Sequence, residues 1–315
     1  MKRRLLAAGV VALGVGTAAT AGRGGEVFAP SRLPQAPNCP LFPANSPWHM
    51  RVEGLPVAPD SQAIIQAIGP DNPLEPGFAS GTHPAPIGFP YTVVSGKQKK
   101  VRVQFQYASD KGPYPIPRNV AIQGGSAATG DRHAIVVDRD HCILYEFWKL
   151  YPGAAGWRAG SGALWNLRSN HLRPNGMTSA DAAGLPILPA LVRYDEVARG
   201  VIAHALRFTA PNTRAAHVYP ARHDASDSSD PNLPPMGIRL RLREDFDVSG
   251  FPPQARAILV ALKQYGMLLA DNGLPWYISG VPDQRWDNAD LATLRQVKGS
   301  DFEVVDTTSL PSPGR

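Results

Sequence analysis

The sequence predicts a mainly β, β-rich α+β fold, an antiparallel β-sandwich or jelly-roll-like domain with a few short helices. Short runs of alternating apolar and polar residues recur along the chain, and only two segments show firm helical spacing. There is no βαβ rhythm and no internal repeat. Proline and glycine, 32 and 30 of 315 residues, argue against long uninterrupted helices on composition alone.

The elements follow from pattern. Strands are expected at 91–95 and 100–107, the second alternating Val101, Val103, Phe105 and Tyr107 with polar residues. Residues 133–138 and 142–149 flank Arg139-Asp140-His141 as a hairpin, and further strands fall at 203–209, 237–243, 268–271, 276–279 and 302–306. One helix spans 252–265, opening on proline, with Ala255, Ile258, Leu259 and Leu262 on one face and Gly266 as a stop. Another runs from a cap at Asn288 to Val297; shorter ones are expected at 61–68 behind Asp60 and around 195–203. Ala270-Asp271-Asn272-Gly273 reads as a hairpin turn.

Residues 1–21 have a basic head (Lys2, Arg3, Arg4), an apolar stretch and a small-residue end at Ala19-Thr20-Ala21, the layout of a secretory signal peptide. Its removal takes three positive charges from a net +6 and no negative ones, so the exported chain is nearly balanced. Residues 22–38 read as a flexible leader, and 39–315 as a single β-rich domain in which the proline-rich stretch 39–90 wraps over the core. With no other apolar segment of spanning length, the mature protein is expected to be secreted or periplasmic, without a membrane span, and monomeric. In an oxidising compartment Cys39 and Cys142 have only each other to pair with. Basic residues are not interleaved with aromatics, which argues against nucleic acid.

Several side chains carry candidate chemistry. Glu146 shares a strand face with Cys142, Leu144 and Trp148; burial there would raise its pKa toward a general acid's, unless an arginine answers it. Trp148 is placed to stack on a sugar ring. The polar, aromatic stretch holding Trp165, Arg168 and Asp181 reads as a binding loop, with Asp181 alternatively a helix cap. Asp195, Glu196, His204 and Arg207 form a third group, in which His204 or Arg207 must face the core and needs a partner. His133 in Gly130-Asp131-Arg132-His133, His223, Asp271 and Trp276 complete the candidates for binding and catalysis. Arg239, Arg241 and Arg243 form a ladder on one strand face, answered either by Glu244, Asp245 and Asp247 or by an acidic substrate. No histidine pair has a recognised ligand spacing, and the phosphate loop, dinucleotide fingerprint, G-x-S-x-G and H-E-x-x-H are all missing, so no metal and no cofactor is expected.

The segments FPANSPW (42–48), GPYPIP (112–117), GDRH (130–133), SADAAGLPILPALVRYDEV (179–197), HALRFT (204–209), PPMGIRLRL (234–242) and YGMLLADNG (265–273) together resemble a family of uncharacterised exported bacterial proteins with apparent fungal relatives. The resemblance spans most of the mature chain and implies no activity for any residue. The E-x-D-x-x-E strand of laminarinase-type enzymes and the R-x-E-x-R and Q-x-H strands of alginate lyases are missing.

Export, a β-rich chain and carboxylates beside tryptophans lead to the expectation of a polysaccharide-active protein, leaning to a glycoside hydrolase. Two of Glu146, Asp181, Asp195, Glu196 and Asp271 would then share the acid and base or nucleophile roles, with His204 a further catalytic candidate. Two alternatives stand beside it. A polysaccharide lyase would use Arg239 and Arg241 to neutralise a uronate, with His204 or His223 and a tyrosine moving the proton. A non-catalytic carbohydrate-binding or cell-surface module would need only Trp148, Trp165 and Trp276 for stacking.

Overall fold

A computed structural model describes residues 31–81, 86–154 and 156–314. The expected signal peptide and the first part of the expected leader lie outside the described residues. From residue 31 the chain is built into the body. Strands β1 (Arg32–Leu33) and β2 (Ala36–Pro40) pair as a small antiparallel hairpin that buries Leu33, Ala36 and Cys39. That part of the expected leader is therefore a structural element: Leu33 and Ala36 are buried, and the Cys39 disulfide anchors the residue that follows it.

Helix α1 (Ser61–Ile68) and β3 (Glu75–Gly77) follow, then β4 (Tyr91–Val94) and β5 (Val103–Phe105). Next come β6 (Ala134–Asp138), β7 (Ile143–Trp148), β8 (Tyr151–Gly153), β9 (Gly156–Ala159) and β10 (Ser161–Asn166). The second half holds α2 (Tyr194–Val197), β11 (Leu206–Ala210), β12 (Arg239–Leu242), α3 (Pro253–Gln264), β13 (Met267–Asn272), β14 (Tyr277–Ser279), α4 (Asn288–Ala292) and β15 (Phe302–Val304).

The fold is β-rich α+β with few, short helices. Its larger sheets are mixed rather than purely antiparallel, and among the described residues none closes into a barrel. One sheet has the order β10-β7-β6-β4, with β4 parallel to β6. Another has the order β15-β12-β13-β11-β14-β3, where β11 runs parallel to β13 and β14 parallel to β3. The third, β5-β9-β8, is smaller.

The central strands of the two larger sheets are buried on both faces, and the alternation along β6 shows how. Ile135 and Val137 point into the main core, while Ala134 and Val136 point into a second cluster with Tyr114, Tyr145 and Phe147. Strands β11 and β12 are buried at every residue, so polar side chains on them must find partners inside the protein.

Local expectations fared unevenly. The hairpin β6–β7 forms, and Cys39 and Cys142 are bonded, closing 103 residues of sequence and tying the β1–β2 hairpin to the β6–β7 turn. Helix α3 buries Ala255, Ile258, Leu259 and Leu262. The strand expected over 100–107 shrinks to β5 plus a bridge from Val101 to Tyr114. Residues 270–273 do not make a hairpin turn, because β11 lies between β13 and β14 and pairs with each. The cap of α4 is Asp287, whose carboxylate accepts from the amides of Ala289 and Asp290, one residue before the expected Asn288. Asp60 precedes α1 but makes no side-chain cap bond. Among the described residues, no helix is long and apolar enough to cross a membrane.

Candidate functional site

A cleft of about 540 Å³ opens where the end of β7, the start of β10, the 178–182 loop, the 223–225 segment and the end of β13 converge. Trp148 and Tyr107 stand on its lining with ring centroids 6.1 Å apart, alongside Asp131, Asp181, His223 and Asp271.

The floor is built around one arginine. Arg207 lies on β11, a fully buried strand, so its guanidinium has no route to water. It forms a two-pronged pair with Asp181, Nε to Oδ2 at 2.9 Å and a terminal nitrogen to Oδ1 at 2.8 Å. The same nitrogen reaches Asp271 Oδ2 at 3.2 Å, and the other terminal nitrogen donates to Ser279 Oγ at 2.8 Å. Phe89 lies under the guanidinium, 5.2 Å away.

Asp271 reaches Arg207 because β13 is the parallel neighbour of β11. The register between them shifts after Phe208: Leu269 faces Phe208, Asp271 faces Thr209, and Ala270 is left unpaired. A bulge of this kind re-aims the next side chain, and here that side chain is Asp271. One Asp271 oxygen accepts from the Asn272 amide at 2.8 Å. Burial and the neighbouring charge of Asp181 push the Asp271 carboxyl up to about 7, against the pull of Arg207. Burial also raises Asp181, which Arg207 opposes directly, and Asp181 itself is sealed from solvent.

The 178–184 loop owes its path to Gly184, which has φ +68°. A Cβ there would lie 2.7 Å from the Met177 carbonyl and crowd the Cβ atoms of Arg222 and His223. The Gly184 amide closes a turn onto the Asp181 carbonyl at 3.1 Å. The Ser179 hydroxyl makes close contacts with the carbonyls of Leu185 and Asp181. Nδ1 of His223 donates to the Ala182 carbonyl at 2.9 Å.

On the wall, Asp131 is exposed and accepts from Trp148 Nε1 at 3.1 Å. Lys149 lies 4.3 Å over the Trp148 ring and covers part of that indole.

The other expected residues lie outside the cleft. Glu146 is sealed within the protein, where it accepts from the amides of Ile187 and Leu188 at 2.9–3.0 Å, and burial pushes its carboxyl up to about 7. Glu196 and His204 form a buried cluster with Arg193 and Ser31; burial would raise Glu196, but Arg193 and His204 outweigh it and hold the carboxyl at about 2. Asp195 pairs with Arg285 near the surface at 2.9 Å.

His133 sits behind the floor, with its ring 5.0 Å from Phe89 and its nitrogens 2.6 Å from Gln123 Oε1 and 3.0 Å from the Ala180 carbonyl; burial and Arg207 lower its pKa to about 4. Trp165 is buried under Arg173, and Trp276 stacks between Phe208 and Phe302 in the core. Arg168 is exposed beyond the end of β10.

The arginine ladder turns inward at two of its three rungs. Arg239 donates to the carbonyls of Pro47, Met50 and Tyr265, and Arg241 to those of Val52 and Leu55 and to Glu303. Arg243 pairs with Asp245. Among the described residues no group of three His, Cys, Asp or Glu side chains is arranged to hold a metal ion.

The structure thus brings Trp148, Asp181, His223 and Asp271 to one cleft with Arg207 beneath. Sequence reasoning missed Asp131, Tyr107 and Ser179 as site residues, although Asp131 belongs to the singled-out GDRH segment and Ser179 to SADAAG. The chain matches no family model, no curated protein and no solved structure.

Proposed function

We propose that this is an exported, polysaccharide-active protein that works as a glycoside hydrolase in the 540 Å³ cleft. What carries the reading is Asp271, a carboxyl on the cleft lining whose pKa of about 7 leaves it protonated in a large fraction of molecules near neutrality. A general acid that protonates a glycosidic oxygen needs that property. Asp131, exposed on the same lining, is the second carboxylate, activating water or attacking the sugar according to its separation from the acid. Trp148 and Tyr107 offer apolar faces for a sugar ring. Asp181 is given no chemical step: it is sealed, and both its oxygens are on Arg207, so it positions the arginine that steadies Asp271.

Two further points support the choice. The segments 130–133, 179–197, 204–209 and 265–273, four of those that carry the family resemblance, all contribute to this cleft or its floor. The arginines on which a lyase reading depended are tied to main-chain carbonyls, which leaves that reading without a group to neutralise a uronate.

The test is release of reducing ends from a panel of neutral and acidic glycans. Turnover without an ultraviolet-absorbing unsaturated product is expected, and Asp271→Asn is expected to lower it by about 10²–10⁴-fold. Unsaturated products would give the site to a lyase. Binding without turnover would leave a carbohydrate-binding module, and full activity in the Asp271→Asn protein would remove the acid from the scheme.

A further inference from the structure

A second cleft, of about 650 Å³, adjoins the first across a shared strip of chain. Ala221 and Arg222 line the second cleft, His223 and Ala225 the first. The strip is fixed by the Arg222 amide on the Ala183 carbonyl at 2.9 Å and the Gly176 amide on the Arg222 carbonyl at 2.6 Å. One polymer could therefore rest in both clefts by crossing a single rigid partition.

The second cleft differs from the first in its cations. Arg222 spends only its Nε, on the Arg173 carbonyl at 2.9 Å, and neither terminal nitrogen has a partner among the described residues. Arg214 gives one terminal nitrogen to the Pro231 carbonyl at 2.9 Å, while its Nε is buried with no partner. Neither arginine forms an ion pair with a described carboxylate. The nearest acid in sequence, Asp224, is engaged by His217 at 3.0 Å, and His217 is held from its other side by Asn175 at 2.8 Å. Asp60 and Asp306, on other segments of the lining, reach neither guanidinium; Asp306 caps the Thr308 amide. Buried arginines elsewhere in the protein each meet a carboxylate or several carbonyls: Arg207 two aspartates, Arg241 Glu303 and carbonyls, Arg239 three carbonyls, and Arg173 and Arg193 one carboxylate each, Asp110 and Glu196, although both keep nitrogens without a partner. Arg214 and Arg222, half-buried in the cleft, have no described carboxylate. Open donors in a cleft are what binding a carboxylate or sulfate requires.

We infer that the second cleft is a subsite for the anionic substituents of an acidic glycan, with Arg214 and Arg222 as the groups that read them. This rests on the first cleft being a glycan site. It narrows the substrate to polymers that carry carboxylate or sulfate groups several sugar units from the bond that is cut.

The test is calorimetric titration of the full chain with a uronic-acid hexasaccharide, a sulfated hexasaccharide and a neutral one. An acidic ligand is expected to bind about tenfold tighter than the neutral one, with an advantage that falls as salt rises. The uronate and sulfate arms tell which anion is preferred. Arg214→Gln, which removes one side-chain hydrogen bond, to the Pro231 carbonyl, is expected to remove most of that advantage while leaving neutral binding and the melting temperature unchanged. Arg222→Gln should do the same, and Arg214→Gln keeps the question open to test if that second variant fails to fold. Equal binding of the three ligands, or an unchanged preference in Arg214→Gln, overturns the subsite. An Arg214-dependent preference without turnover of any glycan keeps the subsite and overturns the hydrolase; turnover of neutral glycans without preference does the reverse.

Discussion

Glu146 and Asp271 have the same raised pKa, about 7, and burial is the leading cause in both. Their surroundings differ in what the charged form meets. Glu146 is closed in, and two backbone amides from the 187–188 turn aim at its oxygens. Asp271 stands at the end of a strand, after a bulge, with one amide, one shared guanidinium and an open cleft. A shifted pKa marks desolvation, and desolvation alone does not separate a structural tie from a chemical group. Access to a substrate separates them, and here access comes from the unpaired Ala270.

The largest test of that contrast is a pair of isosteric variants. Asp271→Asn is expected to cut glycan turnover by about 10²–10⁴-fold, whereas Glu146→Gln should leave kcat within about twofold. Equal losses in both would mean that the cleft is not what distinguishes them. Next in size is Arg207→Gln, which strands Asp181 as an unpaired buried carboxylate; a loss of about 3–5 kcal/mol in denaturant unfolding is expected. The same change withdraws a positive neighbour from Asp271, so the acid-dependent limb of the pH–rate profile should move to higher pH. Arg207→Lys keeps the charge and is expected to restore that limb while leaving part of the stability loss, because a single ammonium cannot hold both Asp181 oxygens as the fork does. An unmoved limb in Arg207→Gln would detach Arg207 from the acid.

Much of the fold was legible because it is local. The alternation through 133–149, the spacing in α3 and the solitary pair of cysteines each lead directly to an element or a bond. The site was legible in part, and its misses share a cause. Arg239 and Arg241 looked like a ladder in search of anions, but main-chain carbonyls answer guanidinium groups equally well, and sequence does not show which carbonyls pass nearby. Trp165 and Trp276 were offered as stacking groups and lie in the core: Trp165 is on the buried face of β10, opposite exposed Leu164 and Asn166, and Trp276, in the turn before β14, stacks between Phe208 and Phe302. Asp181 and Arg207 were both singled out, yet nothing in the sequence joined residues 26 apart into one ion pair. The position of Asp271 depends on parallel pairing of β11 with β13 and on a one-residue slip between them, neither of which has a sequence signature here.

The smallest expected effect concerns Glu146 as a structural group. At pH 5 its carboxyl is largely protonated and one oxygen still accepts amide hydrogens, whereas a glutamine side chain in its place would have to turn an NH₂ toward one of the same amides. Glu146→Gln is therefore expected to cost about 1–3 kcal/mol at that pH. The deficit should then shrink with pH. The folded-state pKa of about 7 lies above the ordinary value of 4.5, so the native protein holds a proton on Glu146 that the unfolded chain has released. Stability from that proton is full below about 4.5 and is lost as pH rises through 7. Glutamine does not titrate and escapes that loss. Paired unfolding curves at pH 5, 6, 7 and 8 should converge as pH rises; curves that stay parallel would mean that Glu146 ionises in the folded protein as easily as in the unfolded chain, and the likeness to Asp271 would be gone.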